Sequence, residues 1–135
     1  MTLTDAGFLY AIVNQRDQHS ERCRKALTLV TSPLLTTWPC FTEAMYFAYE
    51  AGGWKLQNAL WSLLKKGTLH LHLTNEQEID RMQVLMERYH DTPMDLADAS
   101  LVTAAERLGI RRILTTDSEF YVYQISERYP FEVIQ

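Results

Sequence analysis

Apolar periodicity in this 135-residue chain changes repeatedly between short strand-like runs and longer helix-like runs. The strand-like runs cover residues 2–4, 33–37, 69–73, 112–115 and 131–134. Helical patterns separate most consecutive strands, which is typical of βαβ units and of the parallel sheets they form. The sequence therefore predicts an α/β fold with a central, mostly parallel sheet flanked by helices. Its length predicts one domain over residues 1–135.

Cap and breaker residues predict the limits of the helices. Side chains that accept hydrogen bonds from free backbone N–H groups are predicted to begin four of them: Asp5, Ser20, Thr42 and Thr74. A further helix is predicted from Asp95 to Leu108, closed by Gly109, and another from Trp54 to Lys66, closed by Gly67. Gly52-Gly53 is predicted to end the helix that contains Glu43.

The composition is that of an ordinary globular protein, with 47% hydrophobic and 22% charged residues. No apolar run approaches the ~20 residues that cross a bilayer, and residues 1–5 lack the basic and apolar regions of a signal peptide. We therefore expect a cytoplasmic protein with no membrane partner. Cys23 and Cys40 are expected to be reduced and buried. The net charge of −4 indicates that any contact with nucleic acid is local, metal-mediated or supplied by an oligomer.

Four acidic residues with apolar neighbours are the candidate functional residues: Asp5, Glu43, Asp98 and Asp117. Asp5 and Asp117 each follow a predicted strand, and ligands of α/β sheets bind at the carboxyl ends of strands. A carboxylate in apolar surroundings is costly to leave without a partner, and the chain offers no matching set of basic residues. The pattern predicts a site completed by a divalent cation, acting on a phosphodiester.

Asp95 lies three residues before Asp98, so the two side chains share one face at the start of a helix. Asp95 fits two roles. It either caps the helix, where the positive end of the helix dipole favours a carboxylate, or it contributes to the acidic site.

Four stretches, in this order, resemble PIN-domain ribonucleases, a family that includes the toxins of VapBC-type toxin–antitoxin pairs. They are Asp5-Ala6-Gly7-Phe8-Leu9-Tyr10-Ala11, Thr42-Glu43-Ala44, Leu96-Ala97-Asp98-Ala99 and Leu114-Thr115-Thr116-Asp117-Ser118-Glu119-Phe120. The resemblance covers essentially the whole chain. No single stretch is specific, and the ordered set of acids carries the likeness. Two positions differ from the family pattern: Thr4 replaces an apolar residue, and Glu119 stands where relatives often have Asp.

The resemblance implies a three-layer PIN-like fold and a metal-dependent endoribonuclease that hydrolyses RNA. It implies that Asp5, Glu43, Asp98 and Asp117 are catalytic and bind Mg²⁺ or Mn²⁺. It further implies an auxiliary role for Asp95 and a supporting hydroxyl from Thr115. A homodimer and a small antitoxin protein are the implied partners besides the RNA substrate.

Two alternatives stay open at this point. The first is a non-catalytic PIN-like module that binds RNA or protein, which the acidic composition mildly favours and the intact acids disfavour. The second is a phosphoacceptor of the receiver type. That class expects paired acids after the first strand and a late Lys, whereas Asp5 stands alone and no such Lys follows Asp117.

Overall fold

The computed structural model describes residues 1–31 and 33–134. Its strands are β1 (Thr2–Thr4), β2 (Leu34–Thr37), β3 (Leu69–His72), β4 (Arg112–Leu114), β5 (Gln124–Ile125), β6 (Tyr129–Pro130) and β7 (Glu132–Ile134). Its helices are α1 (Ala6–Val13), α2 (Ser20–Thr28), α3 (Trp38–Gly52), α4 (Trp54–Lys65), α5 (Glu76–Arg88) and α6 (Leu96–Leu108). A short 3₁₀ helix covers Ser118–Tyr121.

The central sheet has the strand order β3-β2-β1-β4-β7, and every neighbouring pair is parallel. From β1 the chain moves outward through β2 and β3, then returns to place β4 on the other side of β1. Leu3 consequently pairs with Leu35 on one side and with Ile113 on the other. The boundary between β1 and β4 is therefore the topological switch point, where a crevice opens beyond the carboxyl ends of the strands.

Helices cover both faces of the sheet, and alternate strand residues point to each face. Leu34, Leu69 and Leu114 belong to the hydrophobic cluster formed with α1–α4. Leu3 and Ile113 belong to the cluster formed with α5 and α6. These two clusters make three layers, which confirms the predicted α/β architecture and its mostly parallel sheet.

The start of α3 corrects the sequence-based prediction. The helix begins at Trp38 and is capped by Thr37, whose hydroxyl accepts a hydrogen bond from the backbone N–H of Cys40. Pro39 lies in the first turn, where its missing N–H costs nothing. Thr42, predicted to be the cap, is already helical and donates its hydroxyl to the carbonyl oxygen of Trp38 at 2.8 Å.

Two other predicted caps are also wrong. α5 is capped by Asn75 rather than Thr74, because Asn75 and Glu78 form a reciprocal capping box. Ser20 is the first helical residue of α2 and follows His19, which makes no side-chain cap hydrogen bond. Two predictions are confirmed: Asp5 caps the start of α1, and Gly109, at φ 69°, ends α6.

Residues 118–130, which the sequence pattern left without a predicted element, hold the 3₁₀ helix and the β5–β6 hairpin. No helix in the described ranges is both long and apolar enough to cross a membrane.

Candidate metal-binding site

The carboxyl ends of β1 and β4 are joined through side chains. Asp5 follows β1 and is only 8% exposed. One of its carboxylate oxygens, Oδ1, accepts a hydrogen bond from the backbone N–H of Phe8 at 2.9 Å, and the other, Oδ2, accepts one from the hydroxyl of Thr115. The Thr115 oxygen in turn accepts from the backbone N–H of Asp117 at 2.9 Å. Thr115 therefore fixes the positions of two acids that are far apart in sequence.

Three carboxylates form the closest group of acids at this edge of the sheet. One oxygen from each of Asp98, Asp117 and Glu119 lies within 4.8 Å of the others, and all three residues are half-buried. The backbone N–H of Glu119 also donates to Oδ1 of Asp117 at 2.9 Å. Convergent oxygen ligands of this kind suit hard cations such as Mg²⁺ and Mn²⁺.

Asp98 is held by α6 and by a buried tyrosine. Asp95 caps α6: its Oδ1 accepts from the backbone N–H of Asp98 at 2.8 Å, and Asp98 completes the capping box. This confirms the capping interpretation of Asp95. The hydroxyl of Tyr123 lies 3.1 Å from Oδ2 of Asp98 and 2.9 Å from Oε2 of Glu119. Because it carries one proton, it links these two carboxylates through a shared donor.

The site collects several carboxylates, and no basic side chain of the described residues forms an ion pair with them. Burial, together with the charge of Asp95, raises the pKa of Asp98 to about 7. Burial also raises the pKa of Asp5 to about 6, with a further contribution from Asp117 and opposing contributions from its hydrogen bonds. None of the ion pairs within residues 1–31 and 33–134 includes these acids. The donor set therefore fits a divalent cation, whose charge would favour the ionised carboxylates.

Glu43 reaches the site from α3, one turn after the helix begins. Burial raises the pKa of the Glu43 carboxyl, and the charges of Asp95 and Asp5 raise it further. The described residues offer the Glu43 side chain no hydrogen-bond partner. Of the four predicted acids, Asp98 and Asp117 belong to the closest carboxylate group, and Asp5 is linked to Asp117 through Thr115. Glu43 is connected to Asp5 only through the effect of the Asp5 charge on its pKa.

Sequence reasoning missed two members of this site. Glu119 stands out in the sequence only as a departure from the family pattern, yet it completes the closest carboxylate group. Tyr123 is 1% exposed and was not singled out. Both belong to the segment without a predicted element, where the 3₁₀ turn brings the Tyr123 hydroxyl back to Glu119. Their i, i+4 spacing is the only sequence signal that could have suggested a contact.

No protein-family model matches the sequence, and no curated protein matches it significantly. Solved structures do share the fold. VapC20 of Mycobacterium tuberculosis, a toxin that cleaves the sarcin–ricin loop, superposes with a TM-score of 0.85 at 13% identity, covering 100% of both chains. A toxin–antitoxin complex from Klebsiella pneumoniae gives a TM-score of 0.69 at 16% identity, covering 88% of each chain. This chain therefore has the PIN-like fold of VapC-type toxins.

Proposed function

We propose that this protein is a metal-dependent endoribonuclease of the VapC toxin type, which hydrolyses RNA phosphodiester bonds. The observation that carries the proposal is the group formed by Asp98, Asp117 and Glu119 at the switch point of the sheet. These three carboxylates converge, and within the part of the chain that the structure describes none has a basic partner. Likeness in fold to a toxin that cleaves the sarcin–ricin loop supports RNA as the substrate.

The ion, Mg²⁺ or Mn²⁺, would be held by Asp98, Asp117 and Glu119. The carboxylates of Asp5 and Glu43 would add further negative charge near it. The bound ion would neutralise charge on the phosphoryl oxygens and lower the pKa of a coordinated water. Thr115 and Tyr123 position the acids through the hydrogen bonds described above. The Glu43 carboxylate has no hydrogen-bond partner within the described residues, so one of its oxygens is free to accept the proton of the attacking water.

We also propose a homodimer and a small antitoxin partner. One of the structures with this fold is a toxin–antitoxin complex. Four large aromatic side chains on α3 and at the start of α4 are exposed: Trp38, Tyr46, Tyr49 and Trp54. Aromatic residues are enriched at protein interfaces. Light scattering should give twice the chain mass of 15.7 kDa, and the product of a neighbouring short reading frame should co-purify with the protein.

Cleavage of a mixed RNA pool tests the enzymatic proposal. The native chain should cut RNA with Mg²⁺ or Mn²⁺ and should stop when EDTA is added. Asp98→Asn keeps the side-chain shape but removes a charge from the site, so it should lose at least 100-fold in rate, which is about 2.7 kcal/mol of transition-state stabilisation. Asp80→Asn, the same change at an exposed position of α5, should cut like the native chain.

The pattern of results separates an enzyme from a binding module. Equal cleavage by the native chain and Asp98→Asn would identify a contaminating nuclease and reject the assignment. Binding of RNA by a native chain that cuts none of the pool would instead favour the non-catalytic module.

A further inference from the structure

A cleft of about 440 Å³ opens beside the carboxylates, between α1 and α3. The residues that line it include Gly7, Tyr10, Asp17, His19, Phe47 and Glu50. Thr116 also lines the cleft, and Gly7 lies close to both Thr116 and Asp5, so the cleft adjoins the Asp5 side of the acidic site. Its volume is in the range of small-molecule pockets, about 300–1,000 Å³.

Gly7 keeps the junction between the cleft and the acidic site open. A Cβ atom placed there would lie 3.8 Å from the Thr116 hydroxyl and 4.0 Å from Oδ1 of Asp5. These are ordinary contact distances, so any longer side chain would extend into the junction. A ligand in the cleft is therefore able to reach the acids.

Two aromatic rings form the apolar wall of the cleft. The ring centroids of Tyr10 and Phe47 are 5.8 Å apart with an interplanar angle of 64°. The Tyr10 hydroxyl accepts a hydrogen bond from the side-chain amide of Asn14 at 2.8 Å, which fixes the ring in place. An aromatic ring that is already fixed in place loses little conformational entropy when a nucleobase stacks on it.

The cleft is lined by two carboxylates, Asp17 and Glu50, and by one imidazole, His19, whose Nδ1 lies 3.1 Å from Nη2 of Arg22. Oδ2 of Asp17 accepts from the backbone N–H of His19 at 3.0 Å, whereas the described residues form no hydrogen bond or ion pair with Glu50. The Glu50 carboxylate therefore disfavours a phosphate at the α3 side of the cleft. It attracts a neutral group that has N–H donors, and the edge of a nucleobase is such a group.

We propose that this cleft binds a guanine base next to the scissile phosphodiester, an inference that rests on the proposed ribonuclease function. Guanine presents adjacent N1–H and N2–H donors, which match the two oxygens of the Glu50 carboxylate. Uracil offers one N–H flanked by two carbonyl oxygens, and these oxygens would face the carboxylates unfavourably. Tyr10 and Phe47 contact the base face, and Gly7 leaves room for the ribose and phosphate to reach the acidic site.

Titration with neutral nucleosides tests the cleft separately from cleavage. Guanosine, inosine and uridine are added to the metal-free native chain, and the ring signals of Tyr10 and Phe47 are followed by NMR. Guanosine should shift these signals and bind about tenfold more tightly than inosine, which lacks the N2 amino group, or uridine. Glu50→Gln should remove this preference, and Glu76→Gln, the same change at an exposed site on α5, should keep it.

Three results would overturn the proposal. The first is equal binding of guanosine and uridine, and the second is an unchanged preference for guanosine in Glu50→Gln. The third is displacement of guanosine from the cleft by hexa-arginine at a lower concentration than guanosine itself needs, monitored through the same NMR signals. The last would assign the cleft to a basic peptide. In the nuclease assay, the native chain should cut beside guanine and Glu50→Gln should alter which bases flank the cuts. Selective guanosine binding by a chain that cuts no RNA would reject the nuclease and retain the base site, so the two failures are distinguishable.

Discussion

At the scale of single residues, Thr115 contributes more to the site than its neutral side chain suggests. Its hydroxyl donates to Asp5 and its oxygen accepts from the backbone of Asp117, so one buried oxygen joins the ends of β1 and β4. Both partners are otherwise costly to bury, since one is a carboxylate and the other a backbone N–H. The acids are consequently placed by a residue that itself has no charge.

Thr115→Val should therefore destabilise the protein and misplace the acids. The change preserves volume but leaves the Asp5 oxygen and the Asp117 N–H without their partner, which should cost about 2–3 kcal/mol of unfolding free energy. Urea unfolding measures this loss. Thr115→Ser, which keeps the hydroxyl, is the matched control, and equal stability of the two variants would show that the hydrogen bonds contribute little.

At the scale of secondary-structure elements, the sequence predicts the regular helices and strands of this fold but not its irregular segments. Alternation of strand and helix patterns is enough to predict the parallel sheet, because burial enforces both periodicities. The start of α3 is harder to place, because Thr37 and Thr42 are both chemically able to cap, and only the tertiary position of β2 selects Thr37. Residues 118–130 have no long periodicity, so Glu119 and Tyr123 reach the site through turns that no pattern specifies.

The β5–β6 hairpin contains backbone strain that can be tested. Ser126 and Glu127 adopt φ values of 52° and 59°, in the left-handed region that favours glycine. Ser126→Gly should raise the free energy of unfolding by up to about 1 kcal/mol, because the backbone N–H that donates to Glu106 is retained. Urea unfolding again gives the measurement.

Glu127→Gly provides the comparison for that prediction. It relieves the same kind of strain but removes the carboxylate that pairs with Arg81 at 3.0 Å and with Arg88 at 3.6 Å. Its gain should therefore be smaller than that of Ser126→Gly. A larger gain would mean that the ion pairs contribute nothing to stability.

At the scale of the whole molecule, the site collects acids from the ends of β1 and β4 and from α3 and α6. Like charges held together in this way oppose folding until a cation offsets them. The linkage between protonation, metal and folding is therefore a property of the complete structure rather than of any one element.

In EDTA, the unfolding free energy of the native chain should fall as the pH rises from 4 to 7.5. The folded pKa values of Asp5 and Asp98, about 6 and 7, lie above the unfolded value of about 3.9, so between these limits the folded state binds more protons. Raising the pH removes those protons and the stability that accompanies them. Urea unfolding of Asp98→Asn should show a weaker dependence of the unfolding free energy on pH. If the unfolding free energies of the native chain and of Asp98→Asn differ by the same amount at every pH, the prediction is wrong.

Mn²⁺ should reverse this loss of stability at pH 7.5. At a metal concentration 100 times the dissociation constant, binding to the folded state alone adds about 2.7 kcal/mol. The gain should disappear in Asp117→Asn, which lacks one carboxylate of the closest group, and should persist in Asp80→Asn. An equal gain in all three chains would locate the ion elsewhere.

The insertion of β1 between β2 and β4 also affects a chain that is still being synthesised. Asp5 leaves the ribosome early, but its neighbours across the switch point, Asp117 and Glu119, are translated more than a hundred residues later. Until they emerge and dock beside β1, the carboxylates of the growing polypeptide are scattered and the candidate site is incomplete. If the proposed ribonuclease function holds, the order of the strands keeps the nuclease inactive until its own synthesis is almost complete.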